Sequence, residues 1–152
     1  MKFFVILASL ILSGSHFIFA AEETELSSLP VPVQKTARAE VGSAKIEEVE
    51  DTFEDGKRAY EVEFERDGRK LAIVIAPDGR LIQLEHRLSV GDVPAKIKEA
   101  IAKQFSDGKI SHLKQVDKGG KTYFELTVEA GGKSHALKLN AEGKPLESGA
   151  KD

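Results

Sequence analysis

Side chains capable of acid, base or metal chemistry are plentiful in this 152-residue chain, but their spacing does not suit them to it. Acids gather at Glu47-Glu48-Glu50-Asp51 and Glu54-Asp55, with Glu61, Glu63 and Glu65 close behind. A hard cation wants about six or more oxygens converging from a loop, and there is no Asp-x-Asp-x-Asp-Gly stretch to supply them. Alternate residues of a strand instead stand about 7 Å apart along one face, which disperses Glu61, Glu63 and Glu65. Nucleophilic catalysis needs an activated Ser, Cys or Thr beside a base and an orienting group. The chain has no cysteine, and beyond residue 20 its histidines are His86, His112 and His135, none within a Gly-x-Ser-x-Gly or His-Glu-x-x-His motif. The glycine pairs at 119–120 and 131–132 open no helix, so they are hairpin turns and not phosphate cradles. The residue types therefore predict a protein that is not an enzyme and has no metal site and no cofactor.

What these residues do have is a repeated frame. Shifted by 64 positions, residues 29–83 align without a gap on residues 93–147, with ten identities. These include Pro30/Pro94, Glu61/Glu125, Glu65/Glu129, Ala72/Ala136 and the turn glycines Gly56/Gly120, Gly68/Gly132 and Gly79/Gly143. Pairs such as Val62/Leu126 and Ile73/Leu137 keep their character, as two diverged copies of one supersecondary unit would.

Each copy opens on a helical stripe: Val33, Ala37 and Val41 before Gly42, then Ile97, Ile101 and Phe105 before Asp107-Gly108. Asp92 is the expected N-cap of the second helix, with Pro94 in its first turn. The period then changes from about four to two. Segments 60–65 and 124–129 alternate apolar and polar residues, so one face of each strand is expected in a core and the other in water. Asp67-Gly68 and Gly131-Gly132 suit two-residue hairpins leading into strands at 71–75 and 135–139. Further strands are expected at 46–53 and 110–116, with a short last strand at 81–88 and a weaker counterpart through Leu146. The reading is an α+β fold of two tandem αβββ(β) repeats: one antiparallel sheet with the helices packed on one face. Each copy is near the size at which a domain alone is marginal, so the two are expected to share one core in a single folded unit.

The ends and the composition limit the setting. Lys2, an apolar run over 3–12 and Ala20-Ala21 before Glu22-Glu23 read as a secretory leader, too short to be a membrane anchor. The expected organisation is a signal peptide at 1–20, a flexible linker at 21–28, repeats at 29–88 and 89–147, and a disordered tail at 148–152. Without its leader the chain carries 21 basic and 25 acidic residues, net −4, which argues against a nucleic-acid partner. Residues 21–88 hold 10 bases against 16 acids, and residues 89–152 hold 11 lysines against 9 acids, so the halves differ in sign. The expected location is periplasmic or secreted, with no membrane association after cleavage.

The segment Tyr60-Glu61-Val62-Glu63-Phe64-Glu65-Arg66-Asp67-Gly68-Arg69-Lys70, followed by Ala76-Pro77-Asp78-Gly79-Arg80-Leu81, resembles the PepSY-like family of exported bacterial proteins. Leu29-Pro30 and Val93-Pro94 at the helix entries fit the same pattern, as two tandem copies over the whole mature chain. The second copy departs from it at Ala141-Glu142-Gly143 and Pro145. The resemblance implies a fold similar to the beta-lactamase inhibitor protein and no catalytic residue. It also implies a role in restraining peptidases or other exported enzymes. Its motifs are turn and core chemistry and say little about activity.

The candidate site is therefore a surface: the sheet face away from the helices. Its outward residues are expected to be Glu48, Glu50, Glu61, Glu63 and Glu65 in the first copy, and His112, Lys114, Glu125, Thr127 and Glu129 in the second. Such a polar, sign-graded face suits reversible binding of an exported protein or peptidase. The alternative is a small-ligand or cation carrier using the acidic first copy. His135 is expected on the core side, in the place Leu71 takes in the first copy.

Overall fold

The computed structural model describes residues 26–146, so the expected leader at 1–20, most of the linker and the tail at 148–152 lie outside the described residues. The elements are α1 (Val31–Val41), β1 (Lys45–Glu54), β2 (Lys57–Arg66), β3 (Arg69–Ile75) and β4 (Leu81–Arg87), then α2 (Ala95–Gln104), β5 (Lys109–Lys118), β6 (Lys121–Ala130) and β7 (Lys133–Leu139). The strands form one seven-stranded antiparallel sheet in chain order. Both helices lie on the same face.

The duplication extends to the pairing register. Lys45 faces Glu65 and Lys109 faces Glu129, Val62 faces Ile73 and Leu126 faces Leu137, and a bulge falls between Ile46 and Glu48 and again between Ile110 and His112. The turns account for this fidelity. Asp55-Gly56, Asp67-Gly68, Gly119-Gly120 and Gly131-Gly132 all have positive φ at both positions, the two-residue hairpin geometry whose twist matches that of the strands. Gly79 and Gly143 have another duty. A Cβ on Gly79 would lie 2.8 Å from the Pro32 carbonyl oxygen, and one on Gly143 2.5 Å from that of Lys96. Each turn thus sits directly against the first turn of its own helix, and Thr36 Oγ1 donates to the Gly79 carbonyl at 2.6 Å.

Several boundaries differ from the sequence expectation. Pro30 and Pro94 are themselves the N-caps, and Asp92 ends a short 3-10 turn in which it accepts a bond from Ser89 Oγ at 2.5 Å. The second helix stops at Gln104, with Phe105 as an extended C-cap. Leu26, placed in the linker by the sequence reading, belongs to a 3-10 turn and packs on the first core. The counterpart of β4 in the second copy amounts, among the described residues, to a single bridge between Leu139 and Pro145 and a bond from Leu146 N to the Lys138 carbonyl at 2.8 Å.

On the helix side the buried side chains fall into two clusters, one under each helix. Val33, Ala37 and Val41 of α1 pack with Val62, Phe64 and Ile73, whereas Ile97 and Ile101 of α2 pack with Leu113, Leu126 and Val128 in a separate cluster. Between the clusters, on the helix face, runs a polar seam. His86 Nε2 lies 3.8 Å from Asp117 Oδ2, and Gln115 Nε2 donates to the same carboxylate at 3.2 Å. β4 and β5 carry Gln115, Asp117 and His86 where the other strands carry aliphatics, so on the helix side the halves join through main-chain pairing and polar contacts.

Candidate functional site

In an antiparallel pair, residues opposite one another point to the same side of the sheet. The pairs Glu48–Glu63, Glu50–Glu61, His112–Thr127 and Lys114–Glu125, with Glu65 opposite Lys45 and Glu129 opposite Lys109, therefore place all ten candidate residues on the helix-free face. Cross-strand continuation defines one row as Glu50, Glu61, Val74, Gln83 and Lys118, and another as Arg87, Lys114, Glu125 and Lys138.

This face is not uniformly wet, which the sequence reading did not foresee. Lys118 Nζ on β5 bonds Glu54 on β1, and Asp55 beside it at 2.8 Å. Strands lie about 4.8 Å apart, so β1 and β5 of a flat sheet would be about 19 Å from one another, far beyond the reach of a lysine and a glutamate. The sheet must therefore curl over its helix-free face at the end bearing the β1–β2 and β5–β6 hairpins. Small side chains on that side, Ala59 and Ala72, leave room for the curl, and Ala59, Val74, Val116 and Tyr123 are buried there without a helix above them. Gln83 and Glu85 are 5% and 4% exposed in the same region.

Buried charge needs partners, and most of it has them. Lys114 Nζ lies 2.9 Å from Glu85 and 3.3 Å from Glu125, and Lys138 Nζ lies 3.3 Å from the other oxygen of Glu125. Lys138 also caps the Tyr123 ring at 3.8 Å from its centroid, and Arg87 pairs with Glu63. Burial works against the charge on Lys114, yet its bond to Glu85 and the surrounding carboxylates outweigh this and hold the ammonium above its ordinary range. Burial likewise opposes the charge on Lys138, where Tyr123 and Glu125 prevail and raise it. The Tyr123 hydroxyl is pushed up by burial, against the pull of Lys138.

Glu61 is the exception. Burial first, and then the nearby Glu85 charge, push its carboxyl up to about 7, against the counter-pull of Lys114. At its side, Glu50 is raised chiefly by a hydrogen bond with Glu48, helped by burial and by the like charges around it. Gln83 Nε2 donates to Glu85 Oε1 at 2.7 Å, while Gln83 Oε1 is buried with no hydrogen-bond partner.

In the second half the face opens into a broad hollow whose lining includes Arg87, Lys114, Glu125, Thr127, Ala136 and Lys138. His112 also lines it, and Glu65 and Glu129 are exposed, with Ser134 Oγ donating to Glu129 at 2.7 Å. Among the described residues no group of three or more His, Cys, Asp or Glu is placed to hold a metal ion. Ser111 Oγ lies 3.4 Å from both His112 Nδ1 and Glu129 Oε1, but this exposed serine sits between the base and the acid, an order that does not activate a nucleophile. His135 is half-buried on the core side, its ring 4.8 Å from that of Phe105.

Several solved structures share this architecture. A BLIP-like protein of Bacteroides fragilis matches at TM-score 0.60 and 17% identity, over 78% of this chain and 84% of its own. The fold resembles theirs. A DUF2874 family protein of Bacteroides ovatus matches at TM-score 0.64 and 16% identity, over 78% of this chain and 85% of that one. A Bacteroides eggerthii protein, provisionally described as periplasmic, matches at TM-score 0.63 and 19% identity, over 78% and 86%. No family model and no curated protein matches the sequence. At these identities the likeness establishes the fold, an α+β arrangement of two helices on a seven-stranded antiparallel sheet. Among the described residues no helix is long and apolar enough to cross a membrane.

The sequence did not single out Arg87, Gln83, Glu85, Lys118, Tyr123 or Lys138. Strand alternation could have placed Tyr123 and Lys138 on this face, since each is one residue out of phase with a core position. Glu85 and Gln83 gave no such signal, because β4 was recognised without its register.

Proposed function

We propose that this chain is an exported, non-enzymatic binding module of PepSY-like type that docks another exported protein on the helix-free face of its sheet, as an inhibitor or modulator of a peptidase or similar enzyme. The observation that carries this reading is the asymmetry of the sheet. Both helices cover one face, while the other presents a graded array of charges that is acidic over β1 and β2 and lysine-rich over β5 to β7. Such a surface steers an oppositely patterned partner and holds it reversibly. The secretory leader read from the sequence supports export. The BLIP-like and periplasmic descriptions of structures with this fold support the same setting and the same type of role.

Crosslinking in the native compartment, followed by mass spectrometry of what is caught, tests the reading. Reversing charge at Glu61, Glu63 and Glu65 should cut capture about tenfold or more while the chain remains folded. Unchanged capture would remove this face from consideration. The pairing of the Glu48 and Glu50 carboxyls, which raises Glu50, favours a second reading, a small-ligand or cation carrier. Calorimetric titration with calcium, zinc and haem that gives neither heat nor a melting shift would dispose of it.

A further inference from the structure

The two copies provide an internal comparison at one lattice point of the sheet. Glu125 faces Lys114 on β5 and Lys138 on β7, and both lysines bond it. Glu61 occupies the equivalent point 64 residues earlier, where its facing residues are Glu50 on β1 and Val74 on β3. The first copy thus has the carboxylate but neither of the facing cations. The nearby cations are committed elsewhere: Arg87 to Glu63, Lys114 to Glu85 and Glu125, and Lys118 to Glu54 and Asp55.

A second, independent observation lies in the same row. Gln83 follows Val74 across the sheet and turns its Nε2 to Glu85, which leaves Oε1 as a buried acceptor without a donor. Leaving such a group unpaired costs roughly 1–3 kcal/mol. Glu50 is exposed and Glu61 half-buried, so the row is open to solvent at its β1 end, and Gln83, 5% exposed, forms its buried end.

Resting on the docking reading above, we propose that the row Glu50–Glu61–Gln83 is the seat for one cationic side chain, a lysine or arginine presented by the docked protein. A side-chain cation fits better than a metal ion, because the row supplies two carboxylates and one amide oxygen, short of the roughly six or more oxygens that a hard cation gathers. Binding would bring Glu61 back to the ordinary carboxylate range, so a proton would leave it as the cation arrives.

The test uses the mature chain and a capped heptapeptide with arginines at alternate positions, against the same peptide with citrulline, which keeps the shape and lacks the charge. Calcium chloride is a third titrant, and the Glu61 carboxyl is followed by carbon NMR. The arginine peptide should lower the Glu61 titration midpoint by more than about one unit, and Glu61→Gln should weaken binding about tenfold. Glu50→Lys, an exposed change that restores the lysine of the second copy, should lower that midpoint without peptide and weaken binding to a similar extent. Equal binding of the citrulline peptide, unchanged binding to Glu50→Lys, no peptide binding at millimolar concentration, or a Glu61 shift with calcium alone would each overturn the proposal. A photocrosslinker at Thr127 separates the two readings. A partner caught there with undiminished affinity for Glu50→Lys removes the seat and leaves the docking face standing, whereas a partner caught only from the helix side removes both.

Discussion

Lys118 spans three intervening strands to reach Glu54, and this clasp turns one end of a sheet face that would otherwise be open into a partly enclosed surface. Burial works against the charge on Lys118, but its bonds to Asp55 and Glu54 prevail and hold the ammonium well above its ordinary range. Lys118→Ala should cost about 1 kcal/mol, or roughly 3 °C in melting temperature for a chain of this size. Amide exchange at Gln83 and Glu85 should quicken at the same time. If the melting temperature falls with no change in exchange there, the clasp does not close the face.

Glu61 gives stability a pH dependence whose sign is opposite to the usual carboxylate case. Its folded-state value, about 7, lies above the ordinary 4.5, so the folded chain holds more protons than the unfolded chain between these two values. Its contribution is therefore most favourable at low pH and declines as pH rises through that window. Glu61→Gln should raise the unfolding free energy measured by urea titration at pH near 8 by about 1 kcal/mol after allowance for solvent screening, and the gain should nearly vanish at about pH 4.5. An equal gain at both pH values would place the effect outside this carboxyl.

The turn glycines should rank by what lies beside them. Gly143→Ala combines a φ of +75° with a 2.5 Å approach to the Lys96 carbonyl, and Gly79→Ala a φ of +88° with a 2.8 Å approach to that of Pro32. Each should cost about 2–4 kcal/mol. Gly132→Ala has φ +72° and open space around it, so its cost should stay near 1 kcal/mol. Equal losses in all three would mean that the helix contacts do not matter.

Separate cores predict additivity. Phe64→Ala should cost about 3–5 kcal/mol and Leu126→Ala about 2–5. Because these residues belong to different clusters four strands apart, the double variant should equal the sum within about 0.5 kcal/mol. A larger coupling energy in chemical denaturation would show a common interior after all.

The fold was legible in the sequence wherever local chemistry determined it. Four hairpin turns, the helical stripes and the alternation in β2 and β6 each call for one backbone geometry, and the repeat allowed each to be checked against its copy. All ten candidate side chains fell on the expected face for the same reason: period two admits a single choice once Val62 and Leu126 are placed inside. Contacts between residues distant in sequence were not legible. The clasp joins positions 64 apart, and nothing in Lys118 or Glu54 taken alone distinguishes a partner from a solvated charge. The polar seam was missed because β4 and β5 meet one another, and neither strand has an equivalent junction in the repeat from which to infer it.

That seam has a consequence for how the molecule can change over generations. Under its helix each half keeps its own greasy interior, so a swap of one aliphatic for another beneath one helix asks little of the other. The halves can drift apart in sequence while the glycine corners and proline helix entries hold the shape. This is how the two copies come to set Glu50 and Val74 in one, and Lys114 and Lys138 in the other, around the same carboxylate on a common scaffold.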